Sequence, residues 1–346
     1  MNAQIALILG QDGITNGAIY ALLALSILLV FTVTRVLFIP QGEFVAFGAL
    51  TMAALQAGKP VLLVWLLFAF ALAEVGADLL ARRKRPGRNR GAWRMALKLA
   101  YPLALAALFY KLPLAQLPMA AQALLTLLLV VPMGPQLYRL FYQPIASAST
   151  LVLLIVSIAV HLALVGLGLL AFGAEGARTA PFSDATLALG PLNVNSQALW
   201  VVAVSALLII VLYQFFERSM YGKALRAAAF NRLGARLMGI SPVFAGKATF
   251  FLAALIGTVS GILIAPITTM YFDSGFMVSL KGFVGAIIGG LVSYPLAAAG
   301  AILVGLIEAF SSFWASAYKE IIVFTLIIPV LLWRSLKSHH VEEEDE

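Results

Sequence analysis

The chain has 346 residues, 62% hydrophobic and only 11% charged, with a formal net charge of +8 and a mean hydropathy of +0.99. So much apolar surface excludes a soluble globular protein and predicts a polytopic membrane protein, whose positive charge belongs in cytoplasmic loops rather than on a nucleic-acid surface. The absence of cysteine removes disulfides and thiolate metal sites, and the lack of strand-length alternation argues against a β-barrel.

Residues 1–13, MNAQIALILGQDG, lack a positive n-region and a cleavage site, so they are expected to open a retained first helix. The first span is expected over 5–34. In RVLFIPQGEF, Pro40 and Gly42 then interrupt helix, while Arg35 and Glu43 bring charges to the boundary that are close enough in sequence to pair. A short apolar segment at 44–57 and the turn Gly58-Lys59-Pro60 lead into 61–80. The densest basic run, RRKRPGRNRGAWR at 82–94, is expected in the cytoplasm as a solvated topology determinant, with Asp78 one turn from Arg82. Residues 97–110 fall short of the roughly 20 that a perpendicular crossing needs. Pro113 and Pro118 punctuate the next turn. The span at 119–141 is kinked by Pro132 and Pro135, and Tyr142-Gln143-Pro144 turns the chain toward 151–172.

Residues 173–197 are polar, with Glu175 and Asp184 and with Arg178 as the single cation. The pattern continues with 199–216, 248–266, a loop holding Asp273, 277–292, the turn Ser293-Tyr294-Pro295, 297–315 and 321–333. The tail at 335–346 ends in VEEEDE. With the N-terminus outside, most of the 23 Lys and Arg fall on the cytoplasmic side, leaving Lys59, Lys111, Arg178, Lys281 and Lys319 outside. That asymmetry predicts an all-α, polytopic transmembrane helix bundle of about ten spans, N-terminus outside and C-terminus inside.

The segment 217–247, ERSMYGKALRAAAFNRLGARLMGISPVFAGK, interrupts this apolar text. Six of its residues are cationic, and Ala224, Leu225, Ala228, Ala235, Leu237 and Met238 recur at the spacing of an amphipathic helix, with Gly239 as its stop and Pro242 beyond. Such a helix between two spans lies at the cytoplasmic surface. It serves either as an anchor on anionic lipid or as a docking element for another protein.

GKALRAAAFNRLGARLMGI resembles the cytoplasmic coupling-loop motif of ABC importer permeases of the branched-chain amino acid, LivH-type family, which reads roughly G-x-A-L-R-A-x-A-x-D-x-x-A-A-x-L-M-G-I. Gly222, Ala224, Leu225, Arg226, Ala227, Ala235, Leu237, Met238, Gly239 and Ile240 fit it, and Asn231 stands where an Asp is usual. The resemblance extends over 13–52 and 140–336, including NGAIYALLAL and KGFVGAIIGGLVSYPLAAAGAILVGLIEAF, whereas 61–135 is insertion-like and divergent. It implies a single permease domain over 1–346 in a bacterial inner membrane, working with a second homologous permease subunit, cytoplasmic ATP-binding subunits, a periplasmic substrate-binding protein and membrane lipid. It also implies that Gly222, Arg226, Ala227, Asn231, Ala235, Arg236 and Gly239 couple the chain to the ATPase.

No Walker A sequence is present, since Gly222-Lys223 and Gly246-Lys247 are each followed by Ala, so ATP hydrolysis is expected in a partner chain. No catalytic, cofactor or metal constellation is visible, and His161, the one histidine outside the tail, is expected to pack. Glu308, in mid-span, should face the bundle interior with a partner. Interrupted spans are where transporters place a pathway, so Pro40, Gly42, Glu43 and Glu308 are candidate path residues. Gly13/Gly17, Gly257/Gly261 and Gly285/Gly289 allow close helix packing. Two alternatives stand beside the amino-acid importer: a permease for sugars, nucleosides or amides of the same superfamily, and a self-sufficient secondary transporter, which would need a relay of intramembrane ionisable groups.

Overall fold

The computed structural model describes residues 3–84, 92–183, 185–189 and 192–337. The central part of the basic run at 82–94, Asp184 and most of the acidic tail lie outside the described residues. Eight of the described helical segments are long and apolar enough to cross a membrane. The expected count of about ten is therefore made up by segments that are short or carry charge.

Helix α1 (Ala3–Thr34) is the axis of the molecule. It is apolar on all sides, and it is surrounded by α8 (Ser196–Arg218), α11 (Pro242–Ile264), α12 (Ser274–Ile288) and α13 (Tyr294–Trp314). Its tightest neighbour is α13. A Cβ built on Gly305 would lie 2.4 Å from the Gly13 carbonyl oxygen and 2.6 Å from the Gly17 Cα, so these glycines let two backbones touch.

Helix α2 (Gln41–Gln56) is buried almost from end to end among α11, α12, α5 (Met119–Val130) and α7 (Thr150–Phe172). At 1.5 Å per residue α2 and α12 span roughly 24 and 22 Å, short of the ~30 Å hydrocarbon core. Their N-terminal ends abut, since a Cβ on Gly275 would sit 2.0 Å from the Gly42 carbonyl oxygen. Two partial spans thus meet inside the bundle.

Helix α3 (Leu63–Lys84) pairs with α4 (Ala92–Lys111), which starts earlier than hydropathy suggested. Chain polarity hid its first turns, because Lys98 is held by carboxylates of α3 (below). Leu67, Phe70, Leu105, Phe109, Leu125 and Leu129 from this region share one core with Phe38, Phe44 and Phe250. The kink expected at Pro132 and Pro135 is a run of short pieces: α5, then α6 (Met133–Leu137), a π-helical turn at Tyr138–Tyr142 and a 3-10 turn at Gln143–Ile145. The polar 173–197 segment contains a hairpin that periodicity did not reveal, with β1 (Thr186–Leu189) antiparallel to β2 (Leu192–Asn195). Helices α14 (Lys319–Thr325) and α15 (Ile327–Lys337) close the chain.

Candidate functional site

Past α1 the backbone turns at Arg35 with φ of +60°, and Pro40 caps the entry to α2. The first turn of α2 carries Gln41 and Glu43 into the interior, where both are essentially inaccessible. Gln41 Nε2 donates to the Ala253 carbonyl at 3.0 Å. Glu43 Oε1 lies 2.7 Å from His161 Nδ1 of α7, and the Phe276 ring of α12 covers the imidazole at 4.6 Å. Glu43 therefore pairs with His161 and not with Arg35: the break at Pro40 rotates the acid into the bundle and leaves Arg35 exposed. His161, expected to be packing only, is the counter-group that makes a buried carboxylate tolerable.

Glu308 lies in a second cluster. Its Oε2 accepts from Tyr20 Oη at 2.6 Å, and its Oε1 accepts from Lys281 Nζ at 2.5 Å. Lys281 also donates to Glu320 Oε1 at 3.0 Å, so α1, α12, α13 and α14 are tied at one point. Lys281, counted among the external cations on charge alone, is buried and contributes nothing to the topology argument. The two candidate path carboxylates, Glu43 and Glu308, are thus in separate clusters bridged by α12, which carries Phe276 to one and Lys281 to the other.

A third cluster was invisible in the sequence. Lys98 Nζ sits 2.7 Å from Glu74 Oε2 and 3.0 Å from Asp78 Oδ2, and Arg139 approaches both acids. It locks α3 and α4 to the π-helical turn. The Arg82 side chain lies outside the described residues.

The segment 217–247 forms two helices rather than one. Ser219 Oγ caps α9 (Met220–Phe230) by accepting from Gly222 N at 2.9 Å. Asn231 then ends α9 in extended geometry and caps α10 (Arg232–Leu237), its Oδ1 accepting from Gly234 N at 2.8 Å. A cap needs an oxygen rather than a charge, so Asn serves where Asp is usual. Gly239, at φ +85°, supplies the left-handed turn that stops α10, and Ser241 caps α11.

The inner face of this pair is packed: Leu225, Ala228 and Ala235 sit against Leu29, Val33 and Ala245. Gly222 abuts Phe215 so closely that a Cβ would lie 2.2 Å from its carbonyl oxygen. Arg232 donates through Nε and Nη2 to the Val33 carbonyl at 3.2 and 3.0 Å, capping the end of α1. Partial burial lowers the pKa of this guanidinium, and the neighbouring Arg35 pushes the same way. The outer face displays Arg226, Ala227, Arg236, Leu237, Met238 and a Phe230 that is 95% exposed. Arg226 is held by Glu217 at 2.9 Å and by the Phe216 carbonyl. Of the seven residues assigned to coupling, Gly222 and Ala235 set the seat on the membrane helices, while Arg226, Ala227 and Arg236 look outward.

At the other end of α1 a cavity of about 560 Å³ opens among the first turns of α1, the flank of the hairpin and the ends of α11 and α13, with Glu308 in its wall. Gln197 pins that flank, accepting from Phe182 N at 3.0 Å and donating to the Leu263 carbonyl at 3.2 Å.

The family described as "Branched-chain amino acid transport system / permease component" matches residues 11–331. The chain belongs to this permease family. Among its relatives are the high-affinity branched-chain amino acid transport system permease protein LivH of Escherichia coli K12 and that of Salmonella typhimurium LT2. Each is 29% identical over 210 residues, covering 58% of this chain and 67% of the relative. BraD of Pseudomonas aeruginosa is 27% identical over 208 residues, covering 58% and 68%. No solved structure matches the chain at a significant level.

Within this permease, the groups that sequence reasoning missed are the partners of the buried carboxylates, His161, Lys281 and Tyr20. Two of them lie far along the chain from the carboxylate they bond, His161 by 118 positions and Tyr20 by 288, and Lys281 stands one helix away from Glu308, by 27. A short helix holding a lone lysine, as in 277–292, was the one available signal.

Proposed function

We propose that the chain is the membrane-spanning translocation subunit of an ABC importer for branched-chain or related amino acids. The observation that carries this reading is the family match over nearly the whole chain, joined to a helix pair that exposes Phe230, Leu237 and Met238 beside Arg226 and Arg236 while its inner face packs on α1 and α11. In this reading α9 and α10 seat in a cleft of an ATP-binding subunit, and the chain does no ATP chemistry itself. α7 and α8, largely exposed along their lengths, meet lipid or a second permease subunit. The cavity end faces outward, toward a binding protein, with the N-terminus outside and the C-terminus inside.

The test is uptake into proteoliposomes holding the permease pair, its ATP-binding subunits and its binding protein. ATP-dependent accumulation of L-leucine, L-isoleucine or L-valine is expected. Accumulation of a sugar or nucleoside instead would move the assignment to another branch of the superfamily. The buried Lys281–Glu308 and His161–Glu43 pairs favour a second reading, a self-sufficient ion-coupled transporter. Uptake by the chain alone, driven by an ion gradient without ATP, would establish it.

A further inference from the structure

The cavity at the outer end of α1 has a charge pattern that transport by a passive channel does not require. Its wall carries two carboxylates, Asp12 of α1 and Glu308 of α13, and two cations, Arg178 after α7 and Lys319 at the start of α14. Glu308 is already shared by Tyr20 and Lys281. Asp12 makes no ion pair among the described residues. Arg178 is fixed by its Nε, which donates to the Pro266 carbonyl at 2.9 Å, and this leaves both Nη groups for a further acceptor. Pro266 ends the segment that lines the cavity from α11, and Ala177 exchanges two 2.9 Å backbone hydrogen bonds with Met270, so the arginine stands on a braced loop. Leu9, Ile267 and Ala309 add aliphatic wall between these charges.

A lone anion in such a cavity would meet Asp12, and a lone cation would meet Arg178 and Lys319. A molecule carrying both charged groups on one carbon, with an aliphatic remainder, meets neither penalty. We infer that this cavity is a weak binding site in the permease itself for a free zwitterionic α-amino acid, with the carboxylate on the fork of Arg178 and the ammonium on Asp12. A planar guanidinium grips a carboxylate through paired hydrogen bonds. Lys319, also in the wall, adds long-range attraction, and the open side lets the ligand leave, as a conduction site requires. The inference rests on the transport function proposed above and adds a site to it.

The experiment uses the reconstituted complex in two readouts. In the first, tritiated L-leucine bound to the permease complex without binding protein is displaced by L-leucine, by L-leucinamide or by 4-methylpentanoate. Displacement by L-leucine alone is expected, because each analogue lacks one charge. Arg178→Gln and Asp12→Asn should each weaken binding about tenfold or more, the loss of one charge-assisted contact. Arg178→Gln should also erase discrimination against the amide. Arg178→Lys, which keeps the charge and loses the fork, should fall between; with Lys319→Gln it carries the test if another variant fails to insert. In the second readout, ATP-driven uptake should fall in parallel. Wild-type uptake by Arg178→Gln and Asp12→Asn, equal displacement by all three compounds, or no saturable binding by a transporting complex would overturn the site while leaving the transport function standing. Failure of the wild-type complex to take up any branched-chain amino acid would instead overturn the function.

Discussion

Lys281 and Glu308 form a 2.5 Å ion pair inside the bundle, between the partial span α12 and the full span α13. Breaking a buried pair by removing one member costs about 3–5 kcal/mol, because the other charge is left uncompensated, whereas an apolar pair of similar volume is often tolerated. Glu308→Leu should therefore lower the melting temperature in detergent far more than Glu308→Gln, which keeps an acceptor for Tyr20. Adding Lys281→Met to Glu308→Leu should recover part of the loss. Melting of both single variants at the wild-type temperature would mean that the pair carries no stability.

His161 and Glu43 lend themselves to the same logic on the other side of α12. His161→Leu strands a buried carboxylate and should cost about 2 kcal/mol or more. Glu43→Leu in the same background should restore folding, since both polar groups are then gone. A double variant less stable than His161→Leu, followed by thermal denaturation, would show that Glu43 has another partner.

The helix pair α9–α10 separates seat from surface. Phe230→Ser and Met238→Ser alter exposed side chains, so melting should stay within about 0.5 kcal/mol of wild type while co-purification of the ATP-binding subunit drops. Gly222→Ala drives a methyl into the Phe215 carbonyl and should dislodge α9, losing stability and coupling together. Retention of the ATP-binding subunit by Phe230→Ser and Met238→Ser would return this face to the lipid-anchor reading.

At Asn231 the cap predicts a ranking. Asn231→Asp should match wild type, and Asn231→Ala should lose about 1 kcal/mol of local stability, read as faster amide exchange at Gly234. Gly239→Ala should be costlier than a surface change, by about 1–2 kcal/mol, because φ of +85° strains any side chain.

Topology can be read with single cysteines in a chain that has none. Glu175→Cys should react with an impermeant reagent added outside intact cells, and Met238→Cys only after permeabilisation. The reverse pattern would invert the proposed orientation.

Much of this was visible before any coordinates. Apolar runs located the long helices because a membrane demands about 20 such residues in a row, and Pro40 with Gly42 announced the break that leads to Glu43. What stayed hidden depends on partners distant in sequence. Glu43 read as the mate of nearby Arg35 because proximity along the chain says nothing about the direction a side chain takes after a turn. Lys281 read as an external charge because a buried lysine is legible only beside its acid. The double helix at 220–237 escaped because Asn231 interrupts the backbone without interrupting the apolar period. The strands at 186–189 and 192–195, four residues each, are too short to leave a pattern.

Helix α1 is unbroken from Asp12, in the wall of the cavity, to Val33, whose carbonyl is clasped by Arg232 of α10. Its 32 residues make a rod of roughly 48 Å at 1.5 Å per residue, and the backbone does not yield until the left-handed turn at Arg35. Between α10 and the cavity wall α1 offers no break in its backbone. Were α1 to tilt as a rod, a shift at the end that Arg232 clasps would carry Asp12 with it, and the wall of the cavity would move with the helix pair.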